Sequence, residues 1–273
     1  MESTGATGFG AFAGLHPIGG GRLLASSMDS IGTKPMVAKP RGALRNCGAD
    51  MAAHCINDVA TCGAEPLILL DYVAASRVRL EDVAELVDGA AEVCREAGVA
   101  LVGGETAELP GVYHDGELDF AATCVGIVDE TAVIDGSTIE PGDAILGFAS
   151  AGVHANGFTL VRSVLVDEDY DGPDLLAPTR LYLDLARRLR GRAKGFAHIT
   201  GGGVLGNLSR VLPPGTTAEL DWDSWERPPV FGWLARHIDE EELRRVFNLG
   251  IGWCAVVPDP QPGELVIGRV KAA

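Results

Sequence analysis

The chain has 273 residues, 47% of them hydrophobic, with 36 glycines, a globular composition that allows one large domain or two ordinary ones. A formal net charge of −16 excludes the basic footprint of nucleic-acid binding and disfavours anionic membranes. Six cysteines without a C-x-x-C pair, no apolar run near the ~20 residues of a membrane span and no signal-peptide pattern predict a reduced, cytoplasmic protein.

Residues 1–22 are small and glycine-rich, without a helical period. A strand is expected over 23–28. An alanine-rich helix follows over 49–62, with Met51, Cys55, Ile56 and Val59 on its apolar side and an end near Gly63. Leu67-Ile68-Leu69-Leu70 marks a buried strand over 66–73. Residues 80–97 read as an amphipathic helix, with Leu80, Val83, Leu86, Val87 and Ala90 on one broad face. Gly98 supplies its C-cap. A strand over 99–102 ends on Gly103-Gly104, and another over 118–128 closes this half. Asp135-Gly136 and Glu140-Pro141-Gly142-Asp143 form a turn-rich joint. Beyond it come a strand over 144–149, helices over 156–166 and 178–190, and an acidic exposed loop over 167–173. A helix opened by Thr200-Gly201-Gly202-Gly203 runs to about 211, a short charged helix covers 240–247, and a last strand covers 265–270. This alternation predicts an α/β or α+β fold in two α/β domains, 1–138 and 139–273.

Three acidic positions stand out in the first half. Asp29 heads Asp29-Ser30-Ile31-Gly32-Thr33-Lys34 at a predicted strand end. The acid can take a metal, Gly32 permits close approach, and Lys34 can neutralise a phosphate. The segment is not a Walker A loop, and a turn with a solvated lysine is the plain alternative. Asp50, His54 and Asp58 are spaced i, i+4 and i+8, so they share one side of their helix. That side faces either solvent or a metal and substrate. Glu105 follows Gly103-Gly104 at a strand end, where open α/β sheets place their ligands. Mg²⁺ prefers a few carboxylates with phosphate oxygens and water. Asp29, Asp58 and Glu105 supply that set if their strand ends converge.

In the second half, Ser150-Ala151-Gly152-Val153-His154-Ala155-Asn156-Gly157 and His198-Ile199-Thr200-Gly201-Gly202-Gly203 each join a strand to a helix. Such loops are either tight connections or anion sites, and His154 and Asn156 add donors to the first. No G-x-S-x-G elbow, H-E-x-x-H pair or post-strand G-x-G-x-x-G is present, which removes hydrolase, zinc-protease and Rossmann chemistry.

Taken together, Gly8-Phe9-Gly10, Asp29 to Lys34, Cys55-Ile56-Asn57-Asp58, Gly63-Ala64-Glu65-Pro66 with Leu70-Asp71-Tyr72, and Leu101 to Tyr113 resemble the phosphoribosylformylglycinamidine cyclo-ligase family in kind and order. Gly152 to Arg162, Leu176 to Arg180, His198 to Gly203 and Phe247 to Gly252 extend the resemblance to nearly the whole chain. It implies a homodimer in which N-terminal strands form a shared barrel, and a C-terminal mixed sheet with helices. It also implies ATP- and Mg²⁺-dependent cyclisation of formylglycinamidine ribonucleotide in purine biosynthesis. In that scheme Asp29, Asp58 and Glu105 hold Mg²⁺, with Gly32 and Gly104 beside the nucleotide. Lys34 stabilises the transferring phosphoryl group, while Thr33 and Asn57 orient it. His154, Asn156, Gly201, Gly202 and Gly203 hold the phosphorylated ribonucleotide. Departures are Ser30, where glycine is common, and His54, where an apolar residue is usual. Family members also usually carry a longer segment ahead of Gly-Phe-Gly, part of their nucleotide handling. This implies either a start downstream of the natural one or altered ATP binding. The alternatives are another ATP-using relative, of the selenophosphate synthetase, hydrogenase-maturation or thiamine-phosphate kinase kind, or a non-catalytic paralogue.

Overall fold

Five strands of the first half assemble around one long buried helix. A computed structural model describes residues 11–273, so Gly8-Phe9-Gly10 lies outside the described residues. The strands are β1 (Gly14–Gly19), β2 (Arg22–Ser30), β3 (Glu65–Ala75), β4 (Ala100–Glu108) and β5 (Leu118–Asp129). They form one sheet in the order β1-β2-β5-β3-β4. Only β3 and β4 run parallel, and the crossover between them is helix α3 (Leu80–Ala97), as a parallel pair requires.

Helix α2 (Leu44–Thr61) lies between this sheet, α3 and the second half of the chain. It is buried almost all round, Asp50, His54, Asn57 and Asp58 included, so its polar stripe faces protein rather than water. Two glycines set its distance from α3. A Cβ on Gly48 would overlap Leu86 O, and one on Gly89 would overlap Arg45 O. Only glycine lets the two backbones approach this closely.

The second sheet comprises β6 (Ala144–Ala149), β7 (Gly195–His198), β8 (Thr216–Leu220), β9 (Ile251–Val257) and β10 (Val266–Ala272). Its order is β7-β9-β6-β10-β8, antiparallel throughout. Around it lie α4 (Phe158–Asp167), α5 (Leu183–Leu189), α6 (Gly203–Leu208), α7 (Pro229–Leu234) and α8 (Glu240–Val246), while the short α1 (Pro35–Ala38) follows β2. The largest core crosses both sheets, joining Met51, Cys55 and Phe120 to Tyr182, Phe196 and Trp253. The mixed α/β fold expected from the sequence is the one observed. No helix among the described residues is long and apolar enough to cross a membrane.

Two expectations need correction. Residues 103–105 are not a loop, because pairing with β3 carries β4 through them to Glu108. The helix expected over 178–190 forms only at Leu183–Leu189. Ahead of it, the Thr179 N–H donates to Asp50 Oδ1 and the Tyr182 N–H donates to Asn57 Oδ1, both at 2.8 Å. Side-chain acceptors on α2 thus capture donors that a helix would have used. The sequence pattern does not predict β1, β8, β9, α1 or α7. β9 is seven buried residues without alternation, a pattern that short apolar runs share with helices.

Candidate active site

The polar stripe of α2 meets the end of β2 and the end of β7. Asp58 Oδ1 sits 2.8 Å from His198 Nδ1, and its Oδ2 accepts from Ser27 Oγ at 2.9 Å. One turn earlier, His54 Nε2 lies 2.8 Å from Asp29 Oδ2 and 3.9 Å from Asp58 Oδ2. The two imidazoles meet edge to face, with centroids 4.8 Å apart. Asp58 and both histidines are buried, whereas the Asp29 side chain keeps 42% of its exposure and forms the solvent side of the cluster.

The environment sorts the protonation states. Burial pushes the Asp29 carboxyl up, but the His54 hydrogen bond and charge, with the Ser30 N–H, hold it below the usual carboxylate value. Burial pulls His54 down, yet Asp29 and Asp58 outweigh it and raise this histidine. For His198 burial wins over the Asp58 hydrogen bond, and the ring is lowered. Burial also lowers the Arg210 guanidinium, against the pull of Asp58 and Asp29, so this arginine lies within their field.

Asn57, one residue before Asp58, is pinned. Its Nδ2 donates to Arg180 O at 2.9 Å and approaches His198 Nε2 at 3.4 Å, while its Oδ1 accepts from Tyr182 N. Thr33 is half-exposed and touches Thr159 Oγ1 at 3.3 Å, linking the β2 loop to α4. Gly32 is exposed, with φ +61°.

Lys34 departs from its expected place beside a phosphate. Its side chain is fully buried, with Nζ 2.6 Å from Asp50 Oδ2. It also donates to His154 O at 2.8 Å and to Ala177 O at 3.2 Å. Two of the ammonium's three N–H donors go to these carbonyls, and the adjacent Asp50 carboxylate balances its charge. In this structure Lys34 ties α2 to two loops of the second half.

Glu105 also departs from the expected cluster. Across the sheet, Asp29 pairs with Ala122, Ala122 with Asp71, and Asp71 with Gly104. Paired residues share a face, so Asp29, Asp71 and Gly104 line the face covered by α2 and α3. Glu105 is one residue on and points to the opposite face. Three strand spacings, roughly 14 Å, separate its strand from β2. Asp71, a motif residue to which the sequence assigns no role, shares Asp29's face. Burial raises its carboxyl, and a Cβ on Gly104 would overlap it.

His154 adopts φ +65°, and its Nε2 accepts from Ala151 N at 3.0 Å. Burial, with His198, Lys34 and His54 adding to it, lowers its pKa well below the ordinary value. Its imidazole is turned inward and its carbonyl is held by Lys34. Asn156 is half-exposed, and its Nδ2 is 3.7 Å from where a Gly201 Cβ would be. The two second-half loops therefore meet. Gly201 and Gly202 are exposed, whereas Gly203 is buried with its carbonyl accepting from Asn207 Nδ2 at 2.8 Å. Sequence alone does not single out His198, which stands at a strand end just ahead of the glycines. Its position at a strand end, level with an acidic helix face, was the available signal.

The chain matches the family model described as AIR synthase related protein, N-terminal domain, over residues 10–128, and the corresponding C-terminal domain over 140–272. It is 47% identical over 271 residues to a phosphoribosylformylglycinamidine cyclo-ligase of Synechococcus sp. (strain CC9605), covering 92% of this chain and 79% of that one. In fold it is similar to the hydrogenase maturation protein HypE in complex with ATP, with TM-score 0.71, 20% identity, and 92% and 77% of the two chains covered. It is also similar to AaThiL complexed with AMPPCP and TMP, with TM-score 0.71, 14% identity, and 100% and 88% covered.

Proposed function

The chain belongs to the phosphoribosylformylglycinamidine cyclo-ligase family, and from that premise we propose that it converts formylglycinamidine ribonucleotide to aminoimidazole ribonucleotide with consumption of ATP. The structural observation that supports the assignment is the approach of Asp29 and Asp58 to each other about His54, one carboxylate half-exposed and one buried, beside the β2 loop.

The substrate's amide oxygen attacks the γ-phosphorus of ATP, and ADP leaves. The amidine nitrogen then attacks the activated carbon, expels phosphate and loses a proton as the imidazole closes. Little covalent chemistry falls to the protein, so positioning and charge stabilisation dominate. The exposed carboxylate of Asp29 and the adjacent Asp58 suit the one or two carboxylates by which Mg²⁺ is held alongside phosphates. Such an ion, when bound, neutralises charge on the triphosphate. Thr33 and Gly32 offer a hydroxyl and an open backbone on the exposed loop beside Asp29. Asn57 fixes the His198 ring, and Lys34 fixes the His154 loop from behind. Asn156 and Gly201, which approach each other where the two loops meet, are the donors proposed for the ribose phosphate. Glu105 and Gly104 lie on β4, and Glu105 projects from the sheet face that the proposed homodimer would bury between copies.

Release of ADP that depends on formylglycinamidine ribonucleotide tests the activity; turnover of ATP indifferent to that substrate would contradict it. Asp58→Asn should lower kcat by about 100-fold or more, with the thermal transition retained. Undiminished turnover would remove Asp58 from the machinery.

A further inference from the structure

His54 has no part in the proposed reaction, yet it stands at the centre of the cluster. We infer that His54, Asp58 and His198 form a binding site for a divalent transition-metal ion of the Zn²⁺ or Co²⁺ class, distinct in chemistry from any Mg²⁺ bound with nucleotide.

The geometry is the first support. One ligand atom from each of the three residues lies within 4.8 Å of the others. His54 and Asp58 are one helical turn apart on α2, and His198 ends β7 opposite them, so both sides of the site stand on regular elements rather than loops. All three residues are buried. Holding an ion at the ~2.0–2.2 Å of zinc–nitrogen and zinc–oxygen bonds requires these atoms to draw in from separations of up to 4.8 Å. Asp29 Oδ2, already 2.8 Å from His54 Nε2, stands at the solvent side, where it can complete a four-ligand set.

Donor chemistry is the second support. Two imidazole nitrogens with one or two carboxylates match Zn²⁺, Co²⁺ and their neighbours, whereas Mg²⁺ takes oxygen almost exclusively. Ser27 Oγ donates to Asp58 Oδ2 and so orients that carboxylate, as groups behind metal ligands commonly do. One feature limits affinity. With Nδ1 of His198 on an ion, the ring proton moves to Nε2, which faces Asn57 Nδ2 at 3.4 Å. That amide is locked by Arg180 O and Tyr182 N and cannot present its oxygen. The ring thus lacks the outer acceptor found in the tightest histidine sites, and the ion exchanges rather than remaining permanently bound. An ion here would engage both Asp29 and Asp58, so it would compete with Mg²⁺-dependent nucleotide binding.

The test uses the full chain, stripped of metal and without nucleotide, so it is independent of the cyclo-ligase activity. Titration with Co²⁺ should give saturable visible d–d bands of a low-symmetry site at one ion per chain, and Zn²⁺ should abolish them. His54→Leu keeps the position filled with apolar volume; it should weaken Co²⁺ uptake at least tenfold, while Zn²⁺ no longer raises its thermal transition. His16→Ala, on the exposed β1, should leave uptake unchanged. Absence of d–d bands in the parent chain, or equal uptake by parent and His54→Leu, would overturn the site. If His54→Leu proves poorly folded, Asp58→Asn read by the same bands decides, and undiminished uptake by that variant also overturns the site.

Discussion

Gly104 and His154 show how single positions set local limits here. At Gly104, any Cβ would overlap both the carboxylate and the backbone carbonyl of Asp71. Backbone cannot swing aside as a flexible side chain can. Gly104→Ala should therefore cost about 1–3 kcal/mol, read as a lower urea midpoint with an unchanged m-value. A neutral effect would mean that β4 can lift away from β3. His154 sets a pH limit. Its folded pKa is well below the ordinary value because the ring is buried, and His198 is lowered for the same reason. Both groups take up protons more readily in the unfolded chain. Stability is thus full above the ordinary histidine pKa of ~6.5, and it falls as pH drops below that value toward the folded pKa. His54 is raised and works in the opposite direction, with its contribution lost as pH rises through its folded pKa. Thermal transitions followed from pH 8 to pH 5 should decline at the acid end, less steeply in His154→Gln. A steeper decline in that variant would contradict the buried neutral ring.

Helix α2 is the element on which the site depends, and it shows what a one-dimensional pattern can carry. The spacing of Asp50, His54 and Asp58 placed them on one helix side from sequence alone, and that side does carry the cluster. Periodicity could not tell whether the stripe met water or protein, because its partners come from β2 and the loop after it and from Thr179 and His198 in the second half. The same long-range capture explains the shortened α5 and the fate of Lys34. A lysine five positions after a strand acid looks like a phosphate ligand until the partner that neutralises it is known. The Lys34–Asp50 pair is fully buried, and Asp50 Oδ1 accepts twice more from Thr179 at 2.8 Å. Removing one charge strands the other where water cannot reach it. Lys34→Met should therefore destabilise by about 3–5 kcal/mol, and the double variant Lys34→Met, Asp50→Leu by less than the sum of the single changes. Chemical denaturation of the four proteins measures this. Additive effects would show that the two side chains act independently.

At the scale of the whole molecule, the two sheets are not covered alike. Helices α2 and α3 lie against only one face of the first sheet. On the other face Met28 is 68% exposed and Leu70 is 39% exposed, with Glu105 at its edge. Exposed apolar side chains on a regular sheet face are an unfavourable arrangement for an isolated chain. Their burial against a second copy is the simplest relief, since a twofold interface needs only one self-complementary surface. A stable interface buries at least about 1,200 Å² in total, an area that a five-stranded sheet face can supply. The net charge of −16 opposes association, so an interface on this face must be dominated by its apolar residues rather than by ion pairs. Sedimentation velocity at moderate salt should give a dimer, and lower ionic strength should weaken it. Met28→Lys adds a cation at the most exposed apolar position of the face without touching α2. It should shift the population to monomer while leaving the unfolding transition of the monomer intact. A parent chain that sediments as a monomer, or a Met28→Lys variant that remains dimeric, would place the contact elsewhere and leave Glu105 facing solvent.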